Sequence, residues 1–599
     1  MKYQVIIAGF GTAGAIAAIA AARRGAKVLV LERNTCPGGM QAGGFIFGYY
    51  LQQPMGLTAE IEELIQQQQK TDRLGGQPVE NRREILENHA LEAKAELRYQ
   101  AVISEILEQD GKIKGVVWHE QGKRFCAECN VLLDCSADAE IARLAGIETF
   151  GGRESDGQFQ PFTNLYAFRT AAGIAAAANF DAGRIDQYDI RELTQIMLET
   201  SRLHLRQDYQ NNNPNRLLAP SDQIGVREGL HIRSRKILTL QELLDDKLQV
   251  DDPIDWVSSN IDTHASDFCL ESTIFQDWML GASMWGTVLW IPISLGCLLP
   301  EKGPEGLLIA GRHLGVDHDL GHAVRMNACM GRLGEVAGTL AALAVQQNCT
   351  PSRIPYRTLA DALNIPSTPP GDNHALFALS ASEIKDGLAS DAPGKAIWAA
   401  RTQGQLELLQ KIYAEAEPGS HLRRHAAQAL ALLDCDTGAE ELRACLAERD
   451  PWRPKTSRNR NHARGYVAVY LLGRLADREA IPLLQEVWLS PPQTDTFQYQ
   501  SQAMMTLLKI AEKHPLERMK IADSLKKLTE TREWRLESLS HLHRNNSERH
   551  DIIFRAIVAA ALERWNIPHQ FHKLLPTLNP SLQHLRIAQR ICPADTTTL

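Results

Sequence analysis

The chain has 599 residues, 44% of them hydrophobic, and a formal net charge of -8 at pH 7. This length leaves room for more than one hydrophobic core, so we expect several domains. The acidic balance and the lack of a basic stripe argue against nucleic-acid binding. No charge-free apolar stretch of bilayer length follows the N-terminal segment. We therefore expect a cytoplasmic protein with no nucleic-acid partner and no membrane association.

The first 32 residues have the order of a dinucleotide-binding βαβ unit. Apolar runs before Gly9 and before Glu32 predict two buried strands, with an alanine-rich helix between them. Gly9 would allow a tight turn, Gly11 a close approach of a pyrophosphate to the backbone, and Gly14 close packing of helix on strand. The helix would direct backbone N–H groups at the phosphates. Glu32 would accept hydrogen bonds from ribose hydroxyls.

A second glycine-rich loop follows Glu32 directly, from Arg33 to Gly44. A long cofactor lying extended would need such a loop beside its far end. The arrangement resembles FAD-dependent oxidoreductases of the glutathione-reductase-like class. It is more similar still to a bacterial family of generic FAD-dependent oxidoreductases, some of which carry a xanthan lyase label.

Three later segments extend the resemblance, which covers roughly residues 1–365. Residues 131–142 resemble the family's strand that returns to the cofactor, with Ala137 in place of the usual glycine. Residues 226–239 keep the family's Arg-Glu pair, but Leu230 and His231 replace the arginine pair that follows. Residues 306–338 resemble the strand and Gly-Arg sequence that precede a long helix aimed at the flavin.

The resemblance implies FAD as the cofactor. Asn327 is a plausible N-cap of the long helix, and Gly331, Gly334 and Gly338 would leave a smooth face for the cofactor or the sheet. The predicted cofactor-binding residues are Gly9, Gly11, Thr12, Ala13, Gly14, Glu32, Arg33, Gly38, Gly39, Met40, Val102, Ala137, Asp138, Gly311, Arg312, Asn327 and Ala328.

The region 151–305 is expected to be inserted substrate-binding structure. Three tryptophans could line a pocket for a sugar or a flat ligand, although a tryptophan is more often ordinary core; they are Trp278, Trp285 and Trp290. Oxidation of an alcohol or amine by a flavin needs a base for the substrate proton, which histidine suits near neutral pH. The predicted catalytic residues are His322, His231 and Arg325. His322 is the first choice for this base and His231 the second; Arg325 follows His322 closely in the sequence. Asp317 and Asp319 could orient His322.

Eleven cysteines, an odd number and scattered, predict reduced thiols. Cys126 and Cys129 form the one CxxC sequence, with no second pair and no histidine pair nearby. We predict no metal site, and a redox dithiol at this pair stays open.

A proline-rich break at residues 365–371 predicts a domain boundary. Beyond it, amphipathic helical patterns recur at about forty residues, which resembles HEAT-like repeats; a non-repetitive helical domain is the alternative. The predicted fold is an α/β Rossmann-like FAD-binding domain with an inserted substrate domain, followed by a separable all-α domain. The domains are residues 1–150 and 306–365 for FAD, 151–305 for substrate, and 372–599 for the helices.

Two functions of different classes fit this sequence. In the first, the protein is an FAD-dependent oxidoreductase that transfers hydride between a small polar metabolite and flavin N5, and the helices shield the site or build a homo-oligomer. In the second, it is a flavin electron-transfer module docked on a protein partner through its helical repeats. Substrate-holding insertions are common in flavin folds, which favours the enzyme by analogy alone.

Overall fold

A computed structural model describes residues 1–71, 78–173, 175–181, 183–198, 216–366, 368–455, 460–489, 496–533 and 544–593. The strands of these residues are β1 Val5–Ala8, β2 Val28–Glu32, β3 Glu96–Tyr99, β4 Val102–Gln109, β5 Lys112–Glu120, β6 Lys123–Glu128, β7 Val131–Asp134, β8 Thr149–Phe150, β9 Thr163–Arg169, β10 Ala175–Asp181, β11 Arg216–Pro220, β12 His231–Ile232, β13 Pro253–Ser259, β14 Leu289–Ser294 and β15 Leu307–Ile309.

The helices are α1 Thr12–Arg23, α2 Gly39–Ala42, α3 Gly56–Thr71, α4 Pro78–Glu92, α5 Glu140–Leu144, α6 Leu240–Leu244, α7 Thr273–Gln276, α8 His318–Val324, α9 Asn327–Gln346, α10 Tyr356–Leu363, α11 His374–Phe377, α12 Ala381–Ala389, α13 Gly394–Thr402, α14 Leu406–Glu415, α15 His421–Leu432, α16 Ala439–Ala447, α17 Arg464–Leu475, α18 Ile481–Leu489, α19 Thr496–Lys513, α20 Arg518–Leu525, α21 Lys527–Glu530, α22 Arg544–Arg564, α23 Phe571–Leu574 and α24 Leu582–Ile591. A π-helical turn, Asp277–Gly281, continues α7.

A parallel sheet of five strands, in the order β15-β7-β1-β2-β3, forms the centre of the N-terminal part. Every residue of β1, β2 and β7 is buried, which is why these strands read as continuous apolar runs. Parallel strands place their carboxyl ends at one edge, so β1, β2, β7 and β15 end side by side. The predicted Rossmann-type α/β fold is confirmed.

Helices α1 and α9 pack backbone against backbone on this sheet. A Cβ added at Gly334 would lie 2.1 Å from the Ala13 carbonyl oxygen, and one at Gly338 would lie 2.3 Å from that of Ala17. A Cβ added at Gly331 would lie 2.5 Å from Thr58 Oγ1 on α3. The glycine face expected to take the cofactor or the sheet therefore takes α1 and α3 instead. Among the described residues, α9 alone is long and apolar enough to cross a membrane, but 83% of the tested window is buried inside the protein. It is a core helix.

Smaller sheets surround the central one. Strands β4-β5-β6 form an antiparallel sheet between β3 and β7 in the sequence, and β10-β9-β11 form another within the predicted insertion. Two further antiparallel pairs, β8 with β12 and β13 with β14, also involve the insertion.

The chain divides into two compact units, and neither is continuous in sequence. Unit 1 consists of residues 1–152, 159–263 and 288–372; unit 2 consists of residues 153–158, 264–287 and 373–599. The predicted helical region thus lies in unit 2, together with two segments that the sequence placed in the substrate insertion. Helices α15 to α20 lie in the region where the sequence predicted recurring amphipathic helices.

Candidate active site

The three glycines of the first motif, at the turn between β1 and α1, have different surroundings. Gly9 has a φ of +99°, and a Cβ there would lie 2.6 Å from the Cys135 carbonyl oxygen. A Cβ at Gly14 would lie 2.0 Å from the Gly9 carbonyl oxygen. At Gly11 the nearest atom, the Cα of Gly39, is 3.6 Å away. Gly9 and Gly14 are therefore needed by the protein's own packing, whereas Gly11 borders an open cradle.

The first turn of α1 borders the same cradle. Gly11 is its N-cap residue and provides no side-chain cap. The backbone N–H groups of Thr12 and Ala13 lie in this turn and carry the positive end of the helix dipole. A pyrophosphate fits such a position, because it needs N–H donors and close backbone approach.

Glu32 lies beside this turn. Its carboxylate is buried and accepts hydrogen bonds from the backbone N–H groups of Phe10, at 2.6 Å, and Asn34, at 2.7 Å. Ala101 donates its N–H to the Glu32 carbonyl oxygen at 2.9 Å, so Val102, the next residue, is close by and exposed. An acid at the end of β2, next to the glycine turn, fits a ribose acceptor.

The second glycine loop lies directly against the first. Gly38 donates its N–H to the Phe10 carbonyl oxygen at 2.8 Å, and a Cβ added at Gly39 would come within 2.8 Å of the Gly11 Cα. Met40 follows in α2. Arg33 is half exposed and pairs with Glu140.

A second group of predicted cofactor residues meets where β7 and β15 end. The Arg312 guanidinium donates to the Asp138 carboxylate at 2.6 Å. The Cα of Ala137 lies 3.6 Å from where a Cβ of Gly311 would be. Ala137, which replaces the family's glycine, has a φ of +73° and keeps the left-handed backbone that glycine would adopt.

Sequence reasoning missed a buried contact between a histidine and a carboxylate in this group. His313 Nε2 lies 3.4 Å from Asp134 Oδ1, and both side chains are fully buried. Burial alone would raise the pKa of Asp134, but His313 and hydrogen bonds from Ser136 hold that pKa below its ordinary value. A polar residue ending a buried strand, as Asp134 does, was the available signal.

Asn327 does not have the capping role that the sequence predicted. Met326 is the N-cap residue of α9, and Asn327 is the first helical residue, so the predicted N-cap is wrong. The Asn327 side-chain amide donates to the carbonyl oxygens of Ile46 and Gly48, both at 2.7 Å. It therefore ties the start of α9 to the chain after the second glycine loop. Ala328 is buried in the first turn.

The predicted catalytic histidines lie around one buried carboxylate, Glu228. His318 Nδ1 is 2.7 Å from Glu228 Oε2, and His231 Nε2 is 3.8 Å from Glu228 Oε1. The His322 ring packs edge-on against His318, with 5.5 Å between ring centroids. We call Glu228, His231, His318 and His322 the Glu228 cluster. Burial alone would raise the pKa of Glu228, but His318 and His231 hold that pKa well below its ordinary value.

Backbone and side-chain contacts fix this cluster in place. The Glu228 carboxylate also accepts the N–H groups of Gln160, at 2.7 Å, and Gly152, at 3.1 Å. His231 Nδ1 lies 3.0 Å from the Leu314 carbonyl oxygen, next to the end of β15. The cluster is thus connected to the segment that carries Gly311 and Arg312.

Arg325 reaches the cluster through Gln160. Its Nε donates to Gln160 Oε1 at 3.2 Å, and its Nη2 donates to the Asp262 carbonyl oxygen at 2.9 Å. Gln160 in turn donates from its side chain to the His318 carbonyl oxygen at 3.1 Å. Arg325 is therefore held in one position beside α8.

Asp317, predicted to orient His322, caps a helix instead. Its Oδ1 accepts the Leu320 N–H at 2.7 Å, and its Oδ2 accepts the Leu240 N–H at 3.0 Å. Glu228 supplies the carboxylate that faces a histidine. The sequence showed Glu228 as part of the family's Arg-Glu pair but gave no sign of its partner, ninety residues further along the chain.

Other predicted pocket residues lie elsewhere. Trp278 is fully buried in unit 2 and packs edge-on against Trp398 at 5.0 Å, which makes it core rather than pocket lining. Trp285 also belongs to unit 2, and Trp290 lies on β14 of unit 1. The cysteines are free, as predicted, and burial raises the pKa of Cys129 to about 12, which suits a redox thiol poorly.

Several solved structures are similar to this chain over much of its length. The anhydrotetracycline hydroxylase OxyS of Streptomyces rimosus is 14% identical, with 72% of this chain and 76% of that chain covered and a TM-score of 0.32. A geranylgeranyl bacteriochlorophyll reductase-like protein of Thermoplasma acidophilum is 12% identical over 74% of this chain and 98% of that chain, with a TM-score of 0.33. The myxobacterial chondrochloren halogenase CndH is 10% identical over 71% and 86%, with a TM-score of 0.30. At these TM-scores the likeness assigns no activity to this chain.

The family assignment rests on the sequence of residues 4–363. Residues 4–216 and 180–363 match the FAD dependent oxidoreductase family, and together they make up more than half of the 599 residues. The cradle at Gly11 and the acid at Glu32 fit the cofactor that this family binds. The chain belongs to the FAD dependent oxidoreductase family and is an FAD-dependent enzyme.

Proposed function

We propose that this enzyme oxidises a small polar metabolite, an alcohol, a sugar or an amine, with His322 as the proton acceptor. The observation that carries the proposal is the buried contact of Glu228 with His318, against which His322 packs. When bound, FAD supplies an acceptor for the hydride of the substrate carbon. The hydroxyl or ammonium proton of the substrate is then left for a base on the protein.

The Glu228 cluster has the arrangement expected of an oriented base. An ionised carboxylate at 2.7 Å from His318 Nδ1 favours the tautomer that carries its proton on Nδ1. The lowered pKa of Glu228 keeps this carboxylate ionised at neutral pH. His318 packs against His322 and can therefore orient its ring.

We propose different roles for His231 and Arg325. His231 contacts the Leu314 carbonyl oxygen and Glu228, so it serves as a positioning residue for the carboxylate. Arg325, held by Asp262 and Gln160, would bind an oxygen or an anionic group of the substrate.

We also propose which residues bind each half of FAD. The group at the first glycine turn would hold the adenine nucleotide half of FAD. The group at the ends of β7 and β15 would hold the flavin half. Asn327 and Ala328, at the start of α9, would complete the flavin side.

The test is an anaerobic screen for flavin reduction with polyols, sugars and amines, followed by stopped-flow kinetics on the best substrate. His322→Ala should keep its FAD and reduce flavin roughly two to four orders of magnitude more slowly, the usual loss for a missing general base. His322→Asn, which keeps a hydrogen bond but takes no proton, should be equally slow. His119→Ala, at an exposed position on β5, is the matched control.

Normal rates for both His322 variants with full FAD content would exclude His322 as the base. A slow His318→Ala beside a normal His322→Ala would assign that role to His318. If a protein partner reduces the flavin and no small molecule does, the enzyme is the electron-transfer module that the sequence also allowed.

We further propose that the helices of unit 2 provide a docking surface for a protein partner or a second copy, with α15 to α20 as HEAT-like pairs. Leu516 and Met519, two apolar side chains beside α20, are 94% and 61% exposed, which supports a contact there. Light scattering of the purified chain, with Leu516→Glu as the comparison, would reveal self-association.

A further inference from the structure

We propose that Glu563, His572 and Cys592 bind a divalent transition-metal ion of the zinc type. Glu563 is near the end of α22, His572 is on α23, and Cys592 directly follows α24. Three separate elements of unit 2 thus bring one carboxylate, one imidazole and one thiol together. We call these residues the C-terminal triad.

The distances within the C-terminal triad are close to those of a metal site. Glu563 Oε1 lies 2.9 Å from His572 Nε2, and Cys592 Sγ lies 3.7 Å from the same nitrogen. The three ligand atoms all lie within 4.8 Å of one another. Zinc bond lengths in tetrahedral geometry place neighbouring oxygen and nitrogen ligands about 3.3 Å apart, and nitrogen and sulfur about 3.6 Å apart. The oxygen–nitrogen and nitrogen–sulfur distances of the triad therefore differ from these values by about half an ångström or less.

A surface ion pair does not account for this arrangement. Glu563 and His572 are both partly exposed and would form such a pair without help. Cys592, however, is 1% exposed, and its sulfur faces the same imidazole from within a small apolar core that includes Phe571, Leu575 and Ala588. Imidazole, thiolate and carboxylate are the donor set that zinc binds, whereas magnesium and calcium prefer oxygen alone.

His569 supports the C-terminal triad without belonging to it. Its Nδ1 accepts the Phe571 N–H at 3.2 Å, which leaves the proton on Nε2. That Nε2 faces Glu563 Oε1 at 3.1 Å and donates to it. Outer partners of this kind orient metal-binding carboxylates. With three protein ligands and two of them partly exposed, a fourth coordination position would stay open to water or a small ligand.

The sequence predicted no metal site because its only cysteine pair lacks further ligands. The members of the C-terminal triad are 9 and 20 residues apart, a spacing that matches no familiar metal motif. Only the packing of α22, α23 and α24 brings them together. The inference is independent of the proposed oxidation, since the FAD residues all lie in unit 1.

The test uses the full-length FAD-bound enzyme, stripped with a chelator and then dialysed against a small excess of Zn²⁺. We expect one zinc per chain in the wild type, and at least a tenfold loss of zinc affinity in both Cys592→Ser and His572→Gln. Loading with Co²⁺ should give thiolate charge-transfer absorption in the difference spectrum against Cys592→Ser. Cys435→Ser is the matched control, because that sulfur lies beside Thr437 in another part of unit 2.

FAD content and circular dichroism show whether each variant is folded. His572→Gln keeps the proposal testable if Cys592→Ser unfolds, because His572 is partly exposed. Zinc should also raise the Tm of the wild type and of Cys435→Ser, but not that of folded His572→Gln. Absence of zinc from the reloaded wild type, or equal zinc affinity in wild type and folded His572→Gln, would overturn the proposal.

Discussion

Gly11 and Gly14, which follow β1, are needed for different reasons: Gly14 for the packing of the protein, Gly11 for the approach of the cofactor. Gly14 has no room for a Cβ, since one would lie 2.0 Å from the Gly9 carbonyl oxygen. Gly11 has room for one, with its nearest neighbour at 3.6 Å. Loss of FAD on substitution of Gly11 can therefore be distinguished from loss of folding.

We predict that Gly11→Val folds but releases its FAD. A branched side chain there would fill the cradle that a pyrophosphate needs, while the Cβ itself meets no atom of the protein closer than 3.6 Å. The measurement is acid-released FAD per chain, beside the circular dichroism spectrum. Gly14→Val is the comparison and should fail to fold. A yellow Gly11→Val protein with one FAD per chain would place the pyrophosphate elsewhere.

Ala137 is under backbone strain, since its φ of +73° is disfavoured for a residue with a Cβ. We predict that Ala137→Gly raises the free energy of unfolding by up to about 1 kcal/mol, because the strain relieved exceeds the added entropy of the unfolded chain. Ala142→Gly, in helix α5, should lower it by about 1 kcal/mol. Denaturant unfolding measures both. A less stable Ala137→Gly would mean that the alanine methyl group makes contacts worth more than the strain.

Single residues differ in how far the sequence predicts them. The turn at Gly9 and the close packing at Gly14 could be predicted because both depend on neighbours within one βαβ unit. The contact of Gly9 with Cys135 could not. The contact between Glu228 and His318 could not, because ninety residues separate its partners and only the complete fold brings them together. Asn327 illustrates a third case: the residue type fits an N-cap, yet the helix begins one position earlier than that role requires.

Among the elements, α1 and α9 define how the centre of unit 1 packs. Their glycine and alanine residues bring the two backbones together, so each helix limits the side chains that the other can carry. The sequence predicted β1, β2 and α1 from their apolar and alanine-rich runs, and β7, β15 and α9 from the family resemblance. It did not predict which surface the α9 glycines face, because a small-residue stripe fits a cofactor, a sheet or a helix equally well.

We predict that Gly338→Ala lowers the free energy of unfolding by about 1–3 kcal/mol, the usual cost of overpacking a tight core. The added methyl group would lie 2.3 Å from the Ala17 carbonyl oxygen, so the helices would have to separate. Gly48→Ala is the matched control, since nothing lies within 4 Å of the Cβ it would add. Thermal unfolding measures both variants. Equal Tm values for the two would show that α1 and α9 have room to separate.

At the scale of the whole molecule, the helical unit includes two segments from the middle of the sequence. Within unit 2, Arg153 donates to Asp156, Asp267 and Glu271, and all four side chains are buried. His550, on α22, lies 3.0 Å from the same Asp267 carboxylate. A break within residues 365–373 would therefore separate the C-terminal helices from parts of their own unit. Sequence composition could show the change to helices near residue 372, but not these earlier segments.

Asp277 gives the sharpest test of this discontinuous unit. It lies in the segment 264–287, is buried, and accepts hydrogen bonds from Tyr470 at 2.5 Å and Arg474 at 2.9 Å, both on α17. We predict that Asp277→Ala lowers the free energy of unfolding by about 3–5 kcal/mol, because it leaves the Arg474 guanidinium without its buried partner. Asp386→Ala, at an exposed position on α12, removes the same charge and should change stability by less than about 0.5 kcal/mol. FAD content should stay at one per chain in both, since the predicted FAD residues lie in unit 1. Calorimetry measures both variants. Equal stabilities would mean that the contacts of Asp277 with α17 contribute little to the stability of the helical unit.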